Sequence, residues 1–255
     1  MRHRPRGRQA RPRRGAFLLP SLFTTGNLLL GFYCVVLGFD SHFEIAALLI
    51  FTAGLLDGLD GTLARLTGAE SAFGRQYDSL ADLITFGMAP AVLVYLWGLN
   101  ELGRIGWLVP SFFLVCTATR LARYNVQAKE EGRSRYFVGL PAPAGGAALA
   151  SVLFIAPEND WKDWLNPVLL LVTVALALLM VSTLRYPTLK LLLDFKRVRS
   201  YRVVLPTAAV LLLVAYHPPA FFVSIGTLYV FSGLLSWARG RLPGALQRHK
   251  DVGSS

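Results

Sequence analysis

Leu55-Leu56-Asp57-Gly58-Leu59-Asp60-Gly61-Thr62-Leu63-Ala64-Arg65 is followed, after eight intervening residues, by Gly74-Arg75-Gln76-Tyr77-Asp78-Ser79-Leu80-Ala81-Asp82. These two stretches place four aspartates inside blocks that are otherwise apolar. Aspartate at the centre of a bilayer costs about 2.5–3.5 kcal/mol on insertion scales, so four cost on the order of 10 kcal/mol unless something compensates. Asp57 and Asp60 are three residues apart and share a helical face; Asp78 and Asp82 are four apart and do the same. The connection between the blocks is short, so the two helices are expected to be antiparallel neighbours, with their carboxylate pairs facing one interface. Gly61, Ala64 and Gly74 are small positions beside the pairs, where a helix, a metal or a nucleotide can approach the backbone.

The rest of the chain supplies the membrane setting. Of 255 residues, 54% are hydrophobic and only 16% charged, against about a quarter charged in a soluble domain. Blocks of about 20 apolar residues read as membrane-spanning helices. Eight are expected, roughly over 17–39, 43–66, 72–98, 105–125, 141–156, 166–185, 203–217 and 220–238. The fold class is therefore all-α, a polytopic membrane helical bundle. Residues 1–16 form a basic tail, 17–238 the membrane domain, and 239–255 a second tail. The first block is too long for the apolar region of a signal peptide, and no small-residue cleavage site follows it.

A net charge of +11 raises the possibility of nucleic-acid binding, but its placement argues against it. Seven arginines fall in the first fourteen residues, and most other basic residues lie in short loops. With the N-terminus inside and spans alternating, 24 of the 26 basic residues fall on the inner side, leaving Arg104 and Lys162 outside. Asp40, Glu44, Glu101, Glu158, Asp160 and Asp163 fall on the outer side. This is the positive-inside pattern, and it predicts two cytoplasmic termini. The segment 188–199 reads equally as an interfacial helix or a basic loop. Cys34 and Cys116 sit in apolar blocks without a CxxC pair, and the four histidines show no ligand spacing.

The helical rise places Asp57 about 12 Å and Asp60 about 8 Å from Arg65, and Asp78 about 10 Å and Asp82 about 16 Å from Ser71. All four thus fall in or near the inner half of a core about 30 Å thick. Clustered carboxylates are hard oxygen ligands for Mg²⁺, Mn²⁺ or Ca²⁺, and the lack of His or Cys disfavours zinc. Two function classes follow. One is an enzyme whose metals clamp phosphate while one carboxylate takes a proton from an attacking hydroxyl. The other is a transporter whose carboxylates line a cation or proton path.

The pattern Asp57-Gly58-x-Asp60-Gly61-x-x-Ala64-Arg65, eight residues, Gly74-x-x-x-Asp78-x-x-x-Asp82 resembles the signature of the CDP-alcohol phosphatidyltransferases, with every signature position at the family spacing. The resemblance implies a bundle with six core spans, usually a homodimer, that cleaves a CDP-alcohol and releases CMP. It implies metal ligation by Asp57, Asp60 and Asp78, with Asp82 as a ligand, the base, or both. It also implies CDP-lipid contacts from Thr24, Gly61, Ala64, Arg65, Gly74 and Arg75. Either arginine could hydrogen-bond phosphate, or simply snorkel to the interface.

The stretches Leu19-Pro20-Ser21-Leu22-Phe23-Thr24-Thr25-Gly26-Asn27, Thr119-Arg120-Leu121-Ala122-Arg123-Tyr124-Asn125, Phe137-Val138-Gly139-Leu140-Pro141-Ala142-Pro143 and Leu179-Met180-Val181-Ser182 are similar to the serine-accepting members. Ser21 departs from the Asn common in the family after that Pro. The implied reactants are CDP-diacylglycerol and L-serine, with Arg120 or Arg123, three apart on one face, meeting the serine carboxylate. Glycerol 3-phosphate or an inositol compound is the alternative acceptor. The location implied is the bacterial-type inner membrane, among its lipids, with the site facing the cytoplasm.

Overall fold

The computed structural model describes residues 18–67, 71–130, 136–155 and 162–187. The expected spans over 203–217 and 220–238, both tails, and the segment 188–199 lie outside the described residues.

Within them the chain is helical. α1 (Leu18–Phe39) and α2 (Phe43–Thr67) form an antiparallel hairpin. At its tight turn Ser41 takes a left-handed conformation (φ 62°), and the amides of Ser41 and His42 bond back to the carbonyls of Gly38 and Leu37. α3 (Ala72–Asp82) starts at Ser71, whose hydroxyl accepts from the Gly74 amide at 2.9 Å, satisfying one of the orphan donors at a helix start. A π turn over Leu83–Met88 joins α3 to α4 (Ala89–Trp97). Pro90 has no N–H to offer the carbonyl one turn back. The helix widens there, and the Ala89 amide reaches Ile84 O instead. A short 3₁₀ turn (Leu99–Leu102) leads into α5 (Arg104–Glu130), followed by β1 (Tyr136–Val138), α6 (Ala142–Ile155), α7 (Lys162–Val181) and β2 (Arg185–Pro187).

Among the described residues, three helices, Ser21–Phe39, Ala72–Trp97 and Arg104–Gln127, are long and apolar enough to cross a membrane; Ala142–Phe154 and Leu165–Val181 are shorter apolar helices. The composite helix α3–π–α4 is the central one. Its apolar window is 56% buried, against 33% for α1 and 39% for α5. Glycines let its neighbours in. A Cβ on Gly31 of α1 would sit 2.5 Å from Thr85 Oγ1, and one on Gly146 of α6 would sit 2.8 Å from Phe86 O. The π turn is thus gripped from two sides at backbone contact distance. Around it lies a core that includes Ile50, Phe86, Leu93, Trp97, Phe113 and Leu149. Large apolar side chains such as Leu29, Phe32, Leu55, Trp107 and Leu171 face outward.

Two details differ from the sequence expectation. The sixth span, expected over 166–185, ends as a helix at Val181, and residues 185–187 pair antiparallel with β1, Phe137 opposite Tyr186. The cause is local. Arg123 donates to the carbonyls of Met180, Val181 and Ser182 at 3.0–3.2 Å. Gly139, at φ +81°, brings the β1 end against them, its amide donating to Leu184 O at 2.8 Å. The carbonyls at the end of α7 are therefore capped by a cation, as the helix dipole favours, and the chain leaves the helix as a strand.

Candidate functional site

α2 and α3 deliver the carboxylates as their spacing predicts. One oxygen from each of Asp57, Asp78 and Asp82 lies within 4.8 Å of the others. Asp57 and Asp78 are half-buried, and Asp82 is only 8% exposed. Asp60 belongs to α2, but its side chain lies outside the described residues, as do those of Ala64 and Arg65. Three carboxylates this close repel by about 3–4 kcal/mol per pair at an effective dielectric of 20. A divalent cation would reverse that sign, and an all-oxygen donor set on two rigid helices suits Mg²⁺, Mn²⁺ or Ca²⁺. The donor set therefore fits the implied group.

Beside Asp57, a Cβ on Gly58 would meet no described atom within 4 Å. Gly74 is one turn above Asp78; a Cβ there would meet only Ser71 Oγ, at 3.0 Å. Arg75 follows it and is exposed.

α1 closes another side. Its residues Thr24, Asn27 and Gly31 are spaced three and four apart, so they form one stripe, and all three are buried. Asn27 Nδ2 lies 3.5 Å from Asp82 Oδ1, and the Asn27 carbonyl accepts from Thr85 Oγ1 at 2.9 Å. Nearer the mouth, Thr25 Oγ1 and the Tyr77 hydroxyl are 3.0 Å apart, and the Tyr77 ring stacks on that of Phe73 with centroids 5.9 Å apart.

α5 forms a third side. Asn125 Nδ2 donates to Ser79 Oγ at 2.9 Å, while the Thr117 methyl is 3.1 Å from where a Gly87 Cβ would sit. The two helices run antiparallel, and eight residues separate each pair of contacts. Arg120 therefore stands near the level of Ile84, within a turn of Asp82. It is 6% exposed, with its guanidinium 5.7 Å from the Tyr124 ring centroid, a cation–π distance. Arg123, paired with Arg120 in the sequence reading, is differently placed. Besides the three carbonyls at the end of α7, it donates to Val138 O at 3.2 Å.

Of the four aspartates that the sequence reading expected at one interface, Asp57, Asp78 and Asp82 do come together. That reading gave no site role to Asn27 or Asn125. Their signal is an amide inside an apolar span, which needs a partner but does not say which helix provides it.

Comparisons with known proteins agree on one group. The family model for CDP-alcohol phosphatidyltransferase matches residues 17–185. The chain is 35% identical over 226 residues to the CDP-diacylglycerol–serine O-phosphatidyltransferase of Helicobacter pylori, covering 87% of this chain and 91% of that one. It is 35% identical over 173 residues to the protein of the same name from Bacillus subtilis, covering 68% of this chain and 91% of that one. It is 32% identical over 171 residues to the archaetidylserine synthase of Methanothermobacter thermautotrophicus, covering 66% and 69%.

Proposed function

The chain belongs to the CDP-alcohol phosphatidyltransferase family, and from that premise we propose that it transfers the phosphatidyl group of CDP-diacylglycerol to L-serine, giving phosphatidylserine and CMP. The observation that carries the reading is the convergence of Asp57, Asp78 and Asp82 within 4.8 Å at the junction of two helices. Asp57 and Asp78, with Asp60, would hold divalent ions. Such ions, when bound, neutralise the pyrophosphate and the charge that develops on the departing phosphate.

The chain's own groups do the rest. Asp82, the most deeply set of the described carboxylates, takes the proton from the serine hydroxyl as its oxygen attacks the β-phosphorus of the CDP-lipid. The bond from that phosphorus to the bridging oxygen breaks, and CMP leaves with the electron pair. Thr24, Gly61, Ala64, Gly74, Arg65 and Arg75 line the CDP-lipid side. Arg120 pairs with the serine carboxylate.

The arginine geometry favours serine over a phosphorylated acceptor. Arg123 is engaged with four carbonyls and Arg75 is exposed. Arg120 is a buried guanidinium within a turn of the level of Asp82, which suits one carboxylate. A phosphate ester would call for further cations. In this reading the chain spans the inner membrane eight times around a six-helix core, works as a homodimer among its lipids, and keeps the site and both termini cytoplasmic.

The test is substitution of the charged oxygen ligands at constant shape. Asp57→Asn and Asp78→Asn should abolish CMP release from CDP-diacylglycerol while the protein still inserts and purifies. Near-normal turnover in either would defeat the shared metal site.

A further inference from the structure

Asn27 has no role in the chemistry above, yet it is fully buried, 0% exposed, in the wall of the cluster. Three contacts fix it there. Its Nδ2 is 3.5 Å from Asp82 Oδ1. Its carbonyl accepts from Thr85 Oγ1 at 2.9 Å, three residues beyond Asp82 and inside the π turn. Gly31, one turn further along α1, admits the Thr85 backbone to a distance no side chain would allow. The helix bearing Asp82 and the helix bearing Asn27 are thus locked in register at the point where the acid sits. The amide is oriented by chemistry too. A carboxylate only accepts, so the NH₂ end faces Asp82. Among the described residues, Asn27 Oδ1 is buried with no hydrogen-bond partner. An unsatisfied buried acceptor costs about 1–3 kcal/mol, and a leucine of the same size would avoid that cost. The amide is explained by what its nitrogen does for Asp82.

We infer that Asn27 is a positioning residue for Asp82: its amide N–H holds the carboxylate in the rotamer that faces the acceptor hydroxyl, with Thr85 and the π turn as its anchor. The role rests on the transferase reading. At 3.5 Å the contact is long for a hydrogen bond, and catalytic hydrogen bonds tighten in the substrate complex. In this role Asn27 acts through the carboxylate. Its loss should therefore appear in the chemical step and not in the binding of the CDP-lipid.

The experiment compares full-length wild type, Asn27→Leu, Asp82→Asn and the double variant in detergent. Both CMP release and direct equilibrium binding of CDP-diacylglycerol are measured at saturating Mn²⁺. Loss of an orienting partner behind a functional ligand typically costs 10–100-fold, so kcat of Asn27→Leu should fall by about that factor. Its affinity for CDP-diacylglycerol should stay within about twofold of wild type. In the Asp82→Asn background the same substitution should cost less than about threefold, because residues acting as a unit are not additive. Should Asn27→Leu fail to purify, Asn27→Ser, too short to reach Asp82, is read in the same way. Wild-type kcat in the single variant overturns the role. So does a loss that multiplies in full with Asp82→Asn, or one that lies in CDP-lipid affinity. A wild-type protein that releases no CMP with any alcohol would instead sink the transferase reading beneath it. A fully active Asn27→Leu enzyme sinks the positioning role alone.

Discussion

Replacing Gly31 by alanine tests whether the contact between α1 and the π turn matters to the site. The added Cβ would lie 2.5 Å from Thr85 Oγ1, 2.8 Å from Thr85 Cα and 3.0 Å from Thr85 Cβ. These are roughly 1 Å short of ordinary van der Waals separation. One obstacle is backbone, so a rotamer change cannot relieve it, and α1 must move away from the π turn. Overpacking of this kind costs about 1–3 kcal/mol, or a fall of about 3–10 °C in melting temperature for a chain of this size. The functional cost is sharper. Asn27 is one turn back on the same face, and its 3.5 Å contact with Asp82 has no slack. A shift of about half an ångström takes it outside hydrogen-bonding range. Gly31→Ala should therefore melt lower in detergent and release CMP at least about tenfold more slowly. Gly26→Ala is the control, since its Cβ would meet nothing within 4 Å and alanine is the better helix former. Melting and turnover of Gly31→Ala indistinguishable from wild type, or equal damage from Gly26→Ala, would refute the reasoning.

Other expectations follow from the same geometry. Arg123→Gln should destabilise the end of α7, since four carbonyls lose a charged donor; limited proteolysis near residues 182–187 should speed up, with the CDP-lipid KM little changed. Arg120→Gln should raise the KM for L-serine by about 10–100-fold, the worth of one charge-assisted hydrogen bond of 1.5–3 kcal/mol, and leave CDP-diacylglycerol affinity intact; an unchanged serine KM would remove Arg120 from the acceptor site. Asp82→Asn should slow transfer by about 10²–10⁴-fold while CDP-lipid binding persists; a binding loss as large as that of Asp57→Asn would make Asp82 chiefly a ligand. Reporter fusions at residue 255 should read cytoplasmic, and an outer location would make the number of spans odd.

The parts of the structure legible in the sequence are those written in charge and spacing. Asp57, Asp78 and Asp82 stood out because a carboxylate in an apolar block is expensive and the intervals of three and four fix a face. The short connection before Ser71 led to the expectation of antiparallel neighbours; in the structure α2 packs chiefly on α1 and α6, and it is the carboxylates of α2 and α3 that come together. The π turn was not legible. It arises from Pro90 acting on a carbonyl one turn earlier, and its register is set by Gly31 and Gly146 from distant helices. The β1–β2 ribbon is three residues on each side, too short to show a period. Arg123 read, with Arg120, as a candidate for the serine carboxylate; that it instead caps α7 was not legible, because its partners, the α7 carbonyls, carry no sequence signature at all. Asn27 was quoted within a recognisable stretch, yet its partner Asp82 lies 55 residues away, a distance that helical spacing cannot bridge.

The central claim is that this aspartate cluster catalyses transfer of a phosphatidyl group to serine. The most direct measurement is CMP release by the purified full-length protein from CDP-diacylglycerol and Mn²⁺, offered in turn L-serine, glycerol 3-phosphate and inositol, with lipid products identified by mass. The account predicts CMP and phosphatidylserine in equal amounts with L-serine, little turnover with the other two, and none after Asp57→Asn. Faster turnover with glycerol 3-phosphate or inositol would contradict the acceptor assignment, and full activity in Asp57→Asn would contradict the site itself.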